Sequence, residues 1–217
     1  MELYLDTANL EEIKEIASWG VLAGLTTNPS LLAKEKIPVA DFMREAENYV
    51  TGPLSLEVLG ETADSMIEDA RHLKKYGDNV VIKLPLTEEG LKALKVLSAE
   101  GFQTNLTLIF SANQALLAAK AGATYVSPFV GRVDDIGAEG KALVEEIKLI
   151  FQQYQLKTKI IAASIRSARD VTDAAVAGAD IATIPYGIFK KMVAHPLTGV
   201  GLEKFKADWA KSGIQGL

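Results

Sequence analysis

The chain has 217 residues, of which 48% are hydrophobic and 24% charged, so it is long enough for one domain with a large core and gives no sign of disorder. Its net charge of -5 argues against a nucleic-acid partner or an anionic membrane surface, while leaving room for a local basic pocket. The absence of cysteine excludes disulfides, thiolate catalysis and thiolate metal ligands.

Targeting signals are not evident in the sequence. The opening MELYLDTAN lacks the basic start and apolar stretch of a signal peptide. No apolar run approaches the ~20 residues of a membrane helix. We therefore expect a soluble, cytoplasmic protein with no membrane partner.

Short apolar runs typical of buried strands alternate along the chain with helical stretches. We predict eight strands, at residues 3–5, 22–25, 54–56, 80–82, 102–104, 124–126, 160–163 and 180–184. Helices are predicted between them, where apolar residues recur at a spacing of about 3.6. Several helices are preceded by polar start signals, namely Asn9 with Glu12, Ser111 with Gln114 and Ser167 with Asp170.

Eight strand–helix units in one chain predict a closed parallel barrel. Near-continuous apolar strands joined by helices are typical of a parallel sheet covered on its outer face, so we predict a single (β/α)8 TIM barrel domain over residues 1–217. An open doubly wound sheet is the alternative. It is disfavoured because the sequence has neither a G-x-G-x-x-G turn after the first strand nor a G-x-x-x-x-G-K-[ST] loop.

An additional C-terminal helix is predicted over residues 199–213. Its apolar residues Leu202, Phe205 and Trp209 recur at helical spacing. This pattern fits packing against the helix's own barrel and docking on a neighbouring subunit equally well.

Polar side chains close almost every predicted strand. In parallel barrels the chemistry lies at the carboxyl ends of the strands, so these residues are the candidates for a site. A loop exposed to solvent explains any one of them, but it explains the whole set poorly. The candidates are Asp6, Thr26, Asn28, Glu57, Lys83, Asn105, Thr107, Ser127, Ser164 and Arg166.

Lys83 lies in the apolar run Val80-Val81-Ile82-Lys83-Leu84. An ammonium buried there must find a partner, reach water or lose its proton, because an unpaired buried charge costs several kcal/mol. A desolvated lysine is a nucleophile suited to Schiff-base chemistry. A lysine on a solvated strand edge is the alternative, and a structural ion pair with the nearby carboxylates is another.

Two arginines indicate a substrate class. Arg132 follows the sixth strand and Arg166 the seventh, and phosphate sites in these barrels are commonly built from late loops. Ser164 and the backbone amides near Ser167 can join them as donors to a dianion. A surface role for each arginine is the alternative. No His, Asp and Glu spacing suggests a metal site.

Taken in order, these strand ends resemble the transaldolase family, and within it the short microbial branch of transaldolases and fructose-6-phosphate aldolases. The resemblance spans residue 6 to about residue 185. It is carried by LDTAN at Asp6, TTNPS at 26–30, Glu57, VIKLP at Lys83, TNLTLIFS at 104–111, SPFVGR at 127–132 and AASIR at 162–166.

The resemblance implies a role for each candidate residue. Lys83 would form the Schiff base with a ketose phosphate, and Asp6 would handle the proton of the C4 hydroxyl. Glu57 and Thr107 would hold a water that relays protons. The implied substrate-binding residues are Thr26, Asn28, Asn105, Ser127 and Phe129, and the implied phosphate-binding residues are Arg132, Ser164 and Arg166.

Two positions favour the transferase over the aldolase group of this branch. Fructose-6-phosphate aldolases typically carry Gln where this chain has Glu57, and Tyr where it has Phe129. A carboxylate can exchange a proton with bound water, whereas an amide cannot. Phenylalanine lacks the hydroxyl that could protonate an enamine.

The resemblance therefore implies cofactor-free transfer of a dihydroxyacetone unit in the pentose phosphate pathway. Free aldol cleavage of fructose 6-phosphate and a non-catalytic sugar-phosphate-binding barrel are the alternatives. Similarity to ring-forming short members also implies a homo-oligomer, a pentamer or decamer, assembled through the 199–213 helix.

Overall fold

Eight parallel strands close into one barrel in the computed structural model, which describes residues 1–214 and 216. The strands are β1 (Glu2–Asp6), β2 (Leu22–Thr26), β3 (Leu54–Glu57), β4 (Val80–Pro85), β5 (Thr104–Ile109), β6 (Tyr125–Pro128), β7 (Lys159–Ala162) and β8 (Ile181–Ile184). Each strand pairs with the next, and β8 pairs with β1. This closure confirms the predicted (β/α)8 barrel, because an open doubly wound sheet would leave two edge strands.

Helices connect the strands over the outside of the barrel, as parallel pairing requires. They are α1 (Leu10–Ser18), α2 (Pro29–Glu35), α3 (Val39–Ala46), α4 (Ala63–Leu73), α5 (Glu88–Ala99), α6 (Ala112–Lys120), α7 (Val130–Asp135), α8 (Gly140–Gln153), α9 (Ala168–Val176), α10 (Tyr186–Val193) and α11 (Pro196–Ser212), with a 3-10 turn at Lys74–Tyr76. Within the described residues, none of these helices has the length and apolarity needed to cross a membrane.

The helix start signals met different outcomes. Ser167 and Asp170 form the predicted capping box of α9. Asn9 caps α1 by accepting from two backbone amides, but the Glu12 carboxylate accepts from the Thr7 hydroxyl instead of completing a box. Ser111 is the N-cap residue of α6, as predicted, but its side chain makes no cap bond, and the Gln114 side chain accepts from the Phe110 amide instead.

The fifth strand was predicted in the wrong place. The prediction took residues 102–104, whereas β5 spans Thr104–Ile109. The strand was overlooked because Thr104, Asn105 and Thr107 interrupt its apolar character. Asn105 and Thr107 are buried nonetheless. They alternate along the strand with Leu106, which faces outward into the core between the barrel and the helices. A strand with a polar inner face does not read as an apolar run.

The core has two parts, separated by the wall of the barrel. The larger cluster lies between the strands and the surrounding helices and includes Leu25, Ile82 and Leu94, all fully buried. Each such side chain stabilises the fold by about 1.5–3 kcal/mol relative to its exposed state. The smaller cluster fills the barrel interior and consists of Tyr4, Val81, Tyr125, Ile161 and Ile181, with Ala23 packed against it.

The interior cluster positions the polar residues at the carboxyl ends of the strands. Side chains two residues apart on a strand share a face. Asp6, Lys83 and Ser127 therefore lie one layer above Tyr4, Val81 and Tyr125. The lower layer is an apolar plug, and the layer above it is polar on most strands.

Helix α11 starts at Pro196, three residues before its predicted boundary. His195 caps it by accepting from the Leu197 amide, and proline suits the first helical turn. No described residue of α11 is buried, and Phe205 and Trp209 are 69% and 42% exposed. The apolar residues of this helix therefore do not pack on the barrel of their own chain.

Candidate active site

The predicted strand-end residues share the mouth of the barrel because the strand register aligns them. Cα pairing places Asp6 beside Thr26 on β1 and β2. On the strands that follow, Glu57 pairs with Lys83 and Lys83 with Asn105 across β3, β4 and β5. The structure thus brings two carboxylates, a lysine and several polar groups into a single site.

Lys83 is ion-paired inside the barrel. Its side chain is 8% exposed, its Nζ lies 3.0 Å from Glu57 Oε2, and it donates a hydrogen bond of 3.1 Å to the Thr27 carbonyl. Lys83 therefore does not lie on a solvated strand edge. Removing one member of such a buried pair is strongly destabilising, by about 3–5 kcal/mol, because the other charge is then left uncompensated.

Asp6 is the second carboxylate of the site. Its Oδ1 accepts a hydrogen bond of 2.8 Å from the Thr26 hydroxyl. Burial raises the pKa of Asp6, and the Glu57 carboxylate acts in the same direction, while the Thr26 hydrogen bond and the Lys83 ammonium partly offset them. Asp6 is therefore protonated more easily than an exposed aspartate. This property suits a group that takes up a proton and returns it.

Asn105 is held in a fixed orientation by its neighbours. The Ser127 hydroxyl donates to Asn105 Oδ1 at 2.7 Å, and Asn105 Nδ2 makes a long bond of 3.4 Å to the Ser55 hydroxyl. All three side chains are almost fully buried. These contacts determine which end of the amide carries oxygen and which carries nitrogen.

Thr107 offers a buried hydroxyl with no hydrogen-bond partner among the described residues. A buried polar group left without a bond costs about 1–3 kcal/mol, so this atom is suited to binding a water or substrate group. The next residue, Leu108, has a left-handed backbone with φ of 59°, and the β5–β6 register shifts between Leu106 and Ile109. Bulges of this kind often lie beside active sites, where they reorient a side chain.

The loops after β6 and β7 carry the two arginines and pack closely together. Gly131 lies so near the second loop that an added Cβ would fall 2.2 Å from the Ser164 carbonyl oxygen. The backbone of Ser164 is in the left-handed conformation, with φ of 60°. Arg132 lies over the Phe129 ring, 5.9 Å from its centroid, and both arginines are exposed.

Arg166 is bound by a carboxylate that the sequence analysis did not consider. Its two terminal nitrogens donate to the two carboxylate oxygens of Asp135, at the end of α7. The Asp135 carboxylate raises the pKa of Arg166, with smaller contributions from Asp134 and Asp170. A bidentate pair fixes the plane of the guanidinium.

Two predicted substrate-binding residues have other contacts in the structure. Asn28 caps α2, because its Oδ1 accepts from the Leu31 amide at 3.0 Å. Phe129 packs edge-on against Phe110, with 5.8 Å between ring centroids. Neither contact prevents the remaining atoms from facing a ligand, and the predicted roles stay predictions.

Sequence reasoning missed several residues that touch the site. Thr183 on β8 hydrogen-bonds to Thr26, Ser55 supports Asn105, and the Thr27 carbonyl binds Lys83. Ser55 and Thr183 lie two residues from Glu57 and Ile181, at inward positions of their strands. Strand alternation was therefore a signal that could have identified both of them.

Comparison with known proteins gives a consistent family match. A family model described as transaldolase/fructose-6-phosphate aldolase matches residues 3–215. A probable transaldolase of Caldicellulosiruptor saccharolyticus is 58% identical, covering 97% of this chain and 98% of the relative. One of Clostridium acetobutylicum is 55% identical, covering 98% and 99%.

Solved structures with low sequence identity share the fold alone. A thiamine phosphate pyrophosphorylase from Pyrococcus furiosus superposes with a TM-score of 0.57 at 16% identity, covering 85% of each chain. A mandelate oxidase variant gives a TM-score of 0.60 at 13% identity, covering 85% of this chain and 65% of the other.

Asp6→Asn should raise the unfolding temperature at neutral pH. Because the pKa of Asp6 is raised in the folded state, its contribution to stability is present at low pH and is lost as pH rises through the folded pKa. Asparagine stays neutral and can still accept from Thr26. Thermal unfolding from pH 5 to 8 should show a stabilisation that shrinks toward acid.

Glu203→Gln is the control for this comparison, because Glu203 is exposed on α11 and its ion-pair partner is the equally exposed Lys206. Its unfolding temperature should follow that of the wild type at every pH. A neutral-pH loss of stability in Asp6→Asn would show that burial does not dominate the energetics of this carboxylate.

Proposed function

Because this chain belongs to the transaldolase/fructose-6-phosphate aldolase family, we propose that it transfers a dihydroxyacetone unit between sugar phosphates through a Schiff base on Lys83. It is an enzyme, a transferase of the transaldolase type. The proposed donors are sedoheptulose 7-phosphate and fructose 6-phosphate. The proposed acceptors are glyceraldehyde 3-phosphate and erythrose 4-phosphate.

The buried Lys83–Glu57 pair is the observation that carries the proposal. A lysine ammonium is not a nucleophile until it loses a proton, and Glu57 Oε2 lies 3.0 Å from Nζ. That distance allows direct proton transfer from the ammonium to the carboxylate. The amine can then add to the C2 carbonyl of the ketose and form a carbinolamine.

Loss of water from the carbinolamine needs an acid beside the leaving hydroxyl. Glu57, protonated in the first step, can return its proton to that oxygen, either directly or through a water bound by the Thr107 hydroxyl. The departing water leaves an iminium between Nζ and C2. The Thr107 hydroxyl supports this assignment, because it is buried and no described residue bonds to it.

Carbon–carbon cleavage then requires a base at the C4 hydroxyl. Asp6 is assigned this step, in which its carboxylate takes the proton of the C4 hydroxyl. The C3–C4 bond then breaks, and the electron pair of that bond moves toward the iminium to give an enamine. The shorter aldose leaves. Transfer reverses these events on the acceptor, whose aldehyde carbon is attacked by the enamine while protonated Asp6 returns the proton to its oxygen.

The remaining polar groups are assigned to substrate binding. Thr26, Asn28, Asn105 and Ser127 would bind sugar hydroxyls. Phe129 would form an apolar wall at the mouth, supported by its contact with Phe110.

Arg132, Ser164 and Arg166 are assigned to the phosphate. Asp135 occupies two of the five N–H donors of Arg166, which leaves three for a phosphate.

Charge-assisted bonds are worth about 1.5–3 kcal/mol each, so Arg166→Ala should lower kcat/KM for phosphorylated donors by roughly ten- to a hundredfold. Activity on unphosphorylated donors tests the assignment, because an equal loss there would point to a structural role.

Helix α11 is assigned to assembly of a homo-oligomer. Leu202, Phe205 and Trp209 are exposed, and solvent-exposed apolar groups in a row favour a protein contact. We propose a pentamer or decamer and, for an enzyme of sugar phosphates, a cytoplasmic location. Light scattering on the full chain and on a Phe205→Asp variant tests the assembly, since a monomeric wild type would contradict it.

Borohydride reduction in the presence of fructose 6-phosphate should trap an adduct on Lys83. Reduction converts the iminium into a stable secondary amine, which peptide mapping by mass spectrometry locates. Lys83→Met should give no adduct and no turnover. Lys148→Met is the matched control, because Lys148 is also paired with a carboxylate, Asp180 at 2.7 Å, and should leave labelling of Lys83 intact.

Failure to label Lys83 in wild type, or labelling of a different lysine, would overturn the Schiff-base assignment. A folded Lys83→Met variant with substantial turnover would do the same. Circular dichroism of each variant separates loss of chemistry from loss of fold.

The wild type should release little dihydroxyacetone unless an acceptor aldose is present. Phe129 has no hydroxyl with which to protonate the enamine or to orient water, so the enamine should persist until an aldehyde arrives. Phe129→Tyr should increase free dihydroxyacetone formation from fructose 6-phosphate. Release is measured with and without erythrose 4-phosphate.

Phe110→Tyr is the control, because Phe110 packs against Phe129 and is 40% exposed. It adds the same hydroxyl on the neighbouring ring and should change the partition less. Wild-type cleavage without acceptor at the rate of transfer would favour the aldolase alternative.

A further inference from the structure

We infer that Thr183 is a positioning residue that keeps Asp6 in its carboxylate form by acting through the hydroxyl of Thr26. The inference rests on the proposed function for its meaning in catalysis, since Asp6 must be ionised to take the C4 hydroxyl proton. Thr183 itself has no assigned role in the reaction.

Three side chains on neighbouring strands form a hydrogen-bonded chain. Thr183 Oγ1 lies 2.5 Å from Thr26 Oγ1, and Thr26 Oγ1 donates to Asp6 Oδ1 at 2.8 Å. Thr26 and Thr183 are 3% and 4% exposed, so water competes little for these bonds. The chain crosses from β8 through β2 to β1, because β1 pairs with both neighbours where the barrel closes.

The chain has a preferred direction. A carboxylate only accepts hydrogen bonds, and a hydroxyl has a single proton to donate. When Asp6 is ionised, Thr26 must direct its proton to Asp6, so Thr183 must donate to Thr26. Both hydroxyl protons are then satisfied.

The reversed direction leaves one proton without an acceptor. A protonated Asp6 could donate to Thr26, and Thr26 would then donate to Thr183. Among residues 1–214 and 216, Thr26 is the hydrogen-bond partner of Thr183 Oγ1, and no second acceptor receives its proton. A buried hydroxyl with an unsatisfied donor is costly. If the proton of Asp6 instead sits on Oδ2, Oδ1 still accepts from Thr26, but that bond is no longer charge-assisted and is weaker, so the chain favours the ionised carboxylate.

The charged groups around Asp6 make this bias useful. Burial and Glu57 on β3 favour the protonated form, whereas Lys83 on β4 and the Thr26 bond favour the carboxylate. Thr183 strengthens the second set by orienting the Thr26 proton. Without it, the Thr26 hydroxyl would lose the donor that polarises it, and its hydrogen bond to Asp6 would weaken.

The test is the pH dependence of the Asp6 ionisation in four variants. Thr183→Val removes the hydroxyl and keeps the shape, and it should move the acidic limb of kcat/KM to higher pH. Thr183→Ser should restore the wild-type profile. Thr26→Val should give a larger shift than Thr183→Val, because it removes the bond to Asp6 itself.

The double variant Thr26→Val with Thr183→Val gives the sharpest outcome. If Thr183 acts through Thr26, adding Thr183→Val to Thr26→Val should produce no further shift, so the two effects are strongly non-additive. Additive shifts would overturn the inference. Thr104→Val is the matched control, since Thr104 is fully buried on β5 and its hydroxyl bonds the Thr124 amide, and its profile should match the wild type.

A second readout is independent of turnover. The carboxyl carbon of Asp6 can be titrated by 13C NMR and assigned by comparison with Asp6→Asn. An unchanged Asp6 titration in folded Thr183→Val would overturn the inference even if the enzyme were an active transaldolase. If the pKa of Asp6 shifts upward in Thr183→Val but the wild type has no transferase activity, the role of Thr183 stands and the proposed function is wrong.

Discussion

The ion pair between Lys83 and Glu57 is the interaction on which the rest of the site depends. Both residues point into the barrel, and the β3–β4 register sets them side by side with Nζ and Oε2 3.0 Å apart. In water such a pair contributes little, but inside the barrel each charge needs the other. The closed barrel therefore stores a nucleophile and its proton acceptor in one arrangement, at the cost of desolvating both.

The layers beneath this pair explain how the cost is tolerated. Tyr4, Val81, Tyr125, Ile161 and Ile181 fill the barrel below the mouth and exclude water from that end. The helices bury a much larger apolar cluster outside. That stability supports features of the mouth that oppose folding. They include the burial that raises the pKa of Asp6, the Thr107 hydroxyl that no described residue bonds, and the left-handed backbone at Leu108 and Ser164. Such features commonly accumulate at functional sites.

The mouth divides into two electrostatic environments. Around Lys83 and Asp6 the groups are buried, and burial, the Thr26 hydrogen bond and the neighbouring charges together set the pKa of Asp6. Around Arg132 and Arg166 the side chains are exposed, and Arg166 is already neutralised in part by Asp135. Solvent screens the second environment, so it is suited to reversible binding of a charged group, whereas the first is suited to proton transfer.

The parts of the fold and of the site that could be predicted are those that leave a local pattern in the sequence. Apolar runs separated by helical stretches predicted the barrel, and strand ends predicted the mouth, because burial and strand alternation are local properties of the sequence. The requirement that Lys83 find a partner was equally local. By contrast, β5 was misplaced, since its inward face is polar and its alternation resembles no apolar run.

The tertiary structure alone decided which groups meet. Glu57 rather than Asp6 is the partner of Lys83, Thr183 joins Thr26 across the closing strands, and Asp135 binds Arg166. The sequence determined which residues point inward, because the side-chain period of a strand is two. It could not determine their neighbours, because register between strands and closure of the barrel depend on packing over the whole chain.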